Sequence, residues 1–154
     1  MRVLIVRNNY NPKALESALL LEVYLASQGV ESRAYDTDDL RSSLSMNETE
    51  KVEDIDSYDL AIVLGGDGTI LHEANLSLRY AKPILGINLG RCGFLATCEV
   101  NEMETKLSAV ARGEFSLDHR MLLYVHVLGH DGWEGHALND VVVTKGRLQQ
   151  AIDF

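Results

Sequence analysis

The stretch Leu60-Ala61-Ile62-Val63-Leu64-Gly65-Gly66-Asp67-Gly68-Thr69 limits most narrowly what this chain can fold into. Its run of five apolar residues suits a strand covered on both faces, as in a parallel sheet. Three glycines within four residues then bracket a single carboxylate. Behind them Ile70, Leu71, Ala74 and Leu78 recur at helical spacing as far as Pro83. A buried strand, a glycine turn and a helix place backbone N–H groups at a helix N-terminus, which favours an anion. Gly65, Gly66 and Gly68 have no Cβ, so a phosphate can lie against the main chain. Asp67 opposes that charge, and is therefore there either for chemistry or to hold a cation.

The chain on either side repeats the pattern. Arg2 to Val6 predicts a first strand, and Asn11-Pro12 opens a helix with Asn as N-cap and Pro in the first turn. Leu15, Leu19, Glu22/Val23 and Ala26 give that helix one mostly apolar face, and Gly29 closes it. Val30 to Tyr35 follows as a strand, 36–57 as an acidic loop, and Pro83 to Ile87 as another buried strand. The order β-α-β-loop-β-α-β predicts an α/β fold: an open, mostly parallel, Rossmann-like sheet flanked by helices.

At Ala96 the character changes, so residues 1–100 are expected to form the α/β nucleotide-binding domain and 101–154 a helix and the start of a second, β-rich domain. Asn101 with Glu104 resembles a capping box, and Met103, Leu107 and Val110 predict a helix stopped by Gly113. Met121 to Leu128 and Glu134 to Thr144 are β-rich runs around Gly129-His130-Asp131-Gly132, a hairpin. Ala151 to Phe154 looks like the opening of a further strand. These are the first antiparallel strands of an incomplete domain, too few to be stable alone.

Composition excludes several functions. A net charge of −9 argues against non-specific binding to nucleic acid or to an anionic membrane. Much of that charge lies between Asp36 and Asp59, where nine acids face only Arg41 and Lys51. That segment is either a solvated loop or a regulatory or metal-binding one. Cys92 and Cys98 lack a second pair to complete a zinc site and fit a reducing cytosol. The apolar run Met1–Val6 is too short for a signal peptide or a spanning helix. No metal-ligand spacing links His72, His119, His126, His130 and His136.

Two further clusters carry polarity where the pattern is apolar. Gly86-Ile87-Asn88-Leu89-Gly90-Arg91-Cys92-Gly93-Phe94-Leu95 ends a strand, the position where ligands bind in doubly wound sheets. Phe94 there is either the wall of a pocket for a planar ring or a core aromatic. Asn139-Asp140 interrupts Ala137-Leu138 and Val141-Val142-Val143. An amide and a carboxylate inside a strand either meet a base edge and ribose hydroxyls or mark a bulge or strand end open to water.

In this order the three clusters resemble the signatures of bacterial NAD kinases. The first alone is shared with 6-phosphofructokinases and diacylglycerol-kinase-like lipid kinases; all three at this spacing are specific. The resemblance covers nearly the whole chain. It implies a cytoplasmic enzyme that phosphorylates the 2′-hydroxyl of the adenosine ribose of NAD to give NADP. The donor would be ATP or polyphosphate, with a divalent cation such as Mg²⁺ and a homo-oligomeric assembly. By the same resemblance Asp67 is the proton acceptor, and Asp67 and Gly68 contact nucleotide. Gly65, Gly66, Gly68 and Thr69 form the phosphate loop. Asn139 and Asp140 hold adenine and ribose, and His72 and Gln150 are further NAD contacts; Phe94, read as the wall of a pocket for a planar ring, is expected to join them. No protein metal ligand is implied. The family also has a Gly-Ser/Thr-rich turn in its second domain, and none follows Asn139-Asp140 here. The chain is therefore expected to be an amino-terminal portion with little activity alone. A lipid or sphingoid-base kinase would share Gly65–Thr69 but want a more apolar acceptor site, and a non-catalytic nucleotide-binding module would need only the first half.

Overall fold

The computed structural model describes residues 1–38, 55–90, 93–129 and 132–143. Arg91 and Cys92, most of the acidic segment, the His130-Asp131 turn and everything from Thr144, including Gln150 and the strand expected at Ala151, lie outside the described residues. The chain divides into two compact units, Met1–Leu117 and Asp118–Phe154.

In the first unit, five strands pair in parallel in the order β2-β1-β3-β4-β5. They are β1 (Arg2–Arg7), β2 (Glu31–Asp36), β3 (Leu60–Gly65), β4 (Ile84–Asn88) and β5 (Cys98–Glu99). Helices α1 (Pro12–Ser27), α2 (Asp67–Tyr80) and α3 (Met103–Ala111) cover the faces. Alternation along the strands decides which helix meets which face. Val3, Ile5, Ile62 and Leu64 pack with Leu21 and Leu25 of α1 and with Leu107 and Val110 of α3. Leu4, Val6, Ala61 and Val63 turn the other way, with Ile70 of α2. The open parallel sheet with helices on both sides is as expected. All six residues of β3 are buried, which is why its sequence shows no alternation.

The two-residue strand β5 was not legible in the sequence. It pairs with β4, and the first compact unit runs on through α3 to Leu117. The capping box also moves: Glu99 and Glu102 form it, not Asn101 and Glu104. The Glu99 N–H donates to Glu102 Oε2 at 3.2 Å because β5 ends there, and one 3₁₀ turn, Val100–Glu102, leads into α3.

Helix α1 begins as expected. Asn11 Oδ1 accepts from the Lys13 N–H at 3.1 Å. It ends on Gly29 at φ +72°, with the Val30 N–H donating to the Leu25 carbonyl at 2.9 Å. Its buried face is not the expected one. Ala14, Ser17, Ala18, Leu21 and Leu25 face the sheet, while Leu19 is 65% and Val23 72% exposed. The helix is apolar nearly all round, so periodicity alone admits two faces. The face bearing the small residues lets the backbone approach the strands, and dispersion favours that closer contact. Leu21→Ala should therefore cost about 2–5 kcal/mol of unfolding free energy. Leu19→Ala should stay within about 0.5 kcal/mol. Denaturant melts of the two variants check this; equal losses would mean the helix packs the other way round.

The second unit is a hairpin of β6 (Leu123–His126) and β7 (Glu134–Ala137), antiparallel as expected. Tyr124 and His136 face one another across it, ring centres 5.3 Å apart. Every buried apolar residue among those described lies at or before Val110, so the described part of this unit contributes no buried core.

Candidate functional site

The register brings the glycine turn and the second cluster together at the carboxyl end of the sheet. Gly65 ends β3 opposite Asn88, which ends β4, and Asn88 lies opposite Glu99 of β5. Asn88 is 2% exposed and its amide works in both directions. Nδ2 donates to Glu99 Oε1 at 3.0 Å, and Oδ1 accepts from the Gly90 N–H at 3.1 Å. The Leu89 N–H donates to the Gly65 carbonyl at 3.2 Å. The chain leaving β4 is thus fastened to the turn leaving β3.

The three glycines of that turn differ in what requires them. A Cβ on Gly65 would strike the Thr69 side chain, so its absence serves packing, and Thr69 braces the turn. Around Gly66 and Gly68 nothing described lies within 4 Å of where a Cβ would be, and neither has a positive φ. Gly66 has an extended backbone as N-cap of α2, φ −98° and ψ −173°, and no side chain caps that helix. Neither the backbone nor packing against the described residues demands glycine at these two positions. The open space over the first turn of α2 suits a ligand that must approach the main chain closely.

Asp67 is the first residue of α2, and its carboxylate crosses to the second cluster. Oδ2 accepts from the Phe94 N–H at 2.8 Å, and Oδ1 from the N–H groups of Leu95 at 2.9 Å and Ala96 at 3.4 Å. These donors, Phe94 foremost, hold the carboxyl below the ordinary carboxylate range. A Cβ on Gly93 would come within 2.6 Å of Asp67 Oδ1, so glycine there makes room for the contact. Sequence reasoning missed this link. The signal available was a lone carboxylate among glycines, followed by another glycine run about one strand later.

The sign of the pH dependence follows. The folded group titrates lower than the unfolded one, so the contact stabilises the folded state fully above the ordinary carboxylate pKa. It is lost as pH falls through the lowered value. Amide exchange at Phe94 and Leu95 should accelerate in that acid window, before the β3 amides, as followed by amide NMR. Protection that falls together across both segments would instead mean global unfolding.

The other expected residues stand as follows. Phe94 is 92% exposed, which overturns its reading as a core aromatic. Its main chain is tied to Asp67 while its ring faces solvent. His72 is exposed on α2, five residues beyond Asp67 and hence about 140° round the helix. Asn139 and Asp140 belong to the second unit and follow the end of β7 at Ala137 instead of lying inside a strand. The ladder stops where Ala137 meets Leu123, so both residues are exposed, with Asn139 Nδ2 donating to Asp140 Oδ1 at 2.7 Å. Gln150 lies outside the described residues. Among the described residues no three His, Cys, Asp or Glu side chains gather to hold a metal ion, and no helix is long and apolar enough to cross a membrane.

Comparison with known proteins gives the fold a context. The description "ATP-NAD kinase N-terminal domain" fits residues 3–115. A protein of Laribacter hongkongensis named NAD kinase is 38% identical over 97% of this chain and 53% of its own length. One of Treponema denticola with the same name is 36% identical over 99% of this chain and 52% of its own. The chain therefore spans about half the length of these relatives. Yeast NADH kinase, solved with NADH, shares the fold with a TM-score of 0.63 at 22% identity, over 90% of this chain and 47% of the other.

Proposed function

The chain belongs to the NAD kinase family, and on that premise we propose that it carries the phosphate-handling part of an enzyme making NADP from NAD. The 2′-hydroxyl oxygen of the adenosine ribose attacks the terminal phosphorus of ATP or polyphosphate. The bond to the bridging oxygen breaks, and the hydroxyl proton passes to a carboxylate. The observation that carries this reading is the open space over Gly66 and Gly68, where nothing among the described residues requires glycine.

Phosphoryl transfer asks a protein mainly for positioning and charge stabilisation. The main-chain N–H groups at the start of α2 and the absence of side chains at Gly66 and Gly68 suit the donor phosphates. Asp67 is the group proposed to take the hydroxyl proton. An ionised carboxylate has about four acceptor positions. Three N–H groups use part of that capacity, two of them on Oδ1, so Oδ2 is the oxygen available to a ribose hydroxyl. The low basicity of this carboxylate suits a transition state in which the attacking hydroxyl needs orienting more than early deprotonation. The described residues do not amount to a protein-held metal site. A Mg²⁺ ion fits here as one carried by the donor's phosphates, where it would neutralise charge.

Phe94, exposed beside Asp67, suits a stacking contact with a planar ring, and His72 is a further proposed NAD contact. Asn139 and Asp140 are proposed to hold adenine and ribose, with Gln150 beside them. Full-length members are proposed to act as homo-oligomers in the cytoplasm. Asp140→Ala in a full-length enzyme carrying this segment should weaken NAD binding by ~1–3 kcal/mol, the cost of unpaired hydrogen-bonding groups. ATP-analogue binding should change far less. Equal losses for both ligands, read by calorimetry, would point to misfolding. NADP formation, measured against phosphorylation of a sphingoid base, tests the whole reading; lipid phosphorylation without NADP would overturn it.

A further inference from the structure

The Asp67 contact has a consequence that proton acceptance does not require. Three consecutive N–H groups, Phe94, Leu95 and Ala96, turn towards one carboxylate. Such an array forms only if the chain is curved around the acceptor. Gly93, just before it, lacks the Cβ that would push the carboxylate away. Asn88 fastens the start of the same segment through Gly90 and Glu99. Of the segment's two large side chains, Leu95 packs against the Leu4 and Val63 cluster, while Phe94 is exposed with its main chain on Oδ2.

We infer that Asp67 is also a positioning residue: by holding Gly93–Ala96 against the glycine turn, it fixes the Phe94 ring and shapes the surface on which a nucleotide rests. This rests on the reading that a nucleotide occupies the glycine turn. One side chain then performs two jobs, and Gly93→Ala disturbs only the second. Gly93→Ala keeps the carboxylate but removes the room for its contact, at a residue without a positive φ, so the backbone itself tolerates the change. Asp67→Asn keeps the shape but presents an NH₂ group where an N–H expects an acceptor.

The test uses the 154-residue chain. Phe94 and Leu95 amide protons bonded to a carboxylate resonate downfield, and that signature is read by NMR. NAD and ATP affinities are read by calorimetry, with thermal melting as a control for folding. In Gly93→Ala the downfield signature should vanish and nucleotide affinity should fall about tenfold, the scale of one lost hydrogen-bonded contact. The melting temperature should move little. Loss of the signature with unchanged affinity would overturn the inference while leaving the nucleotide reading intact, and so would a signature that survives the added methyl group. A native chain that binds neither NAD nor ATP would overturn the nucleotide reading itself. Should Gly93→Ala fail to fold, the native chain carries the test: the Phe94 and Leu95 amide signals should shift when NAD or ATP is added, and signals that stay in place while nucleotide binds would overturn the inference.

Discussion

Replacing Asp67 by Asn in a full-length NAD kinase that carries this segment should lower turnover by ~10²–10⁴-fold, the range that a positioned proton acceptor contributes. NAD affinity should fall less. The amide has no negative charge to orient and accept from the 2′-hydroxyl. It also offers one acceptor oxygen in place of two, so it cannot serve the Phe94 and the Leu95 N–H groups together. The loss therefore has two sources, and Gly93→Ala separates them. That variant keeps the carboxylate and disturbs only its hold on Gly93–Ala96. If Gly93→Ala reproduces most of the turnover loss, positioning dominates; if it reproduces little, proton acceptance does. An Asp67→Asn enzyme with near-native turnover sinks both roles, because neither a base nor an organiser of the site can be removed without effect.

Much of the first unit was legible because burial leaves its mark on composition. Leu60–Leu64 is apolar without a break since both its faces are covered, and Asn11 and Gly29 bound a helix by rules that are local. Legibility failed where a distant partner decides. The face of α1 depends on how closely a backbone can approach a sheet, which the count of apolar residues does not encode. Strand β5 is two residues long and exists because β4 offers it an edge. Asp67 was recognisable as chemically odd, but its three donors lie 27 to 29 residues away, and no periodicity connects them. At Phe94 composition left two readings open, a pocket wall or a core aromatic, and only the exposure of its ring removes the second. At Asn139-Asp140 the apolar flanks suggested a strand. Val141, Val142 and Val143 are instead exposed at 44%, 71% and 57%, so the polar pair has nothing apolar around it to offend.

The 154-residue chain by itself should make no NADP at an ordinary enzyme rate. Its first unit has the buried strands and helices of a stable body, and should hold the glycine turn and the Asp67 contact in place. The second unit does not match it. Met121 is 82% exposed, Leu128 85% and Trp133 57%, on a hairpin whose described residues contribute nothing to a buried core. A hairpin this small is marginal in water, and open edges with apolar side chains favour pairing with other chains over a single geometry. Asn139 and Asp140 depend on that hairpin for their position. Relatives named NAD kinase are about twice as long, so in them further chain is present to complete such a site. Transfer requires the ribose hydroxyl to be held in line with the donor phosphorus, and that ordering accounts for ~7–11 kcal/mol of barrier reduction in well-oriented reactions. An NAD held only at the glycine turn forgoes most of that contribution, so weak binding with little turnover is the expected outcome. NADP production by the purified chain at ~1 s⁻¹ or faster, measured with ATP and with polyphosphate, would overturn this. It would mean that the hairpin orders itself, alone or against a second copy, well enough to fix the acceptor.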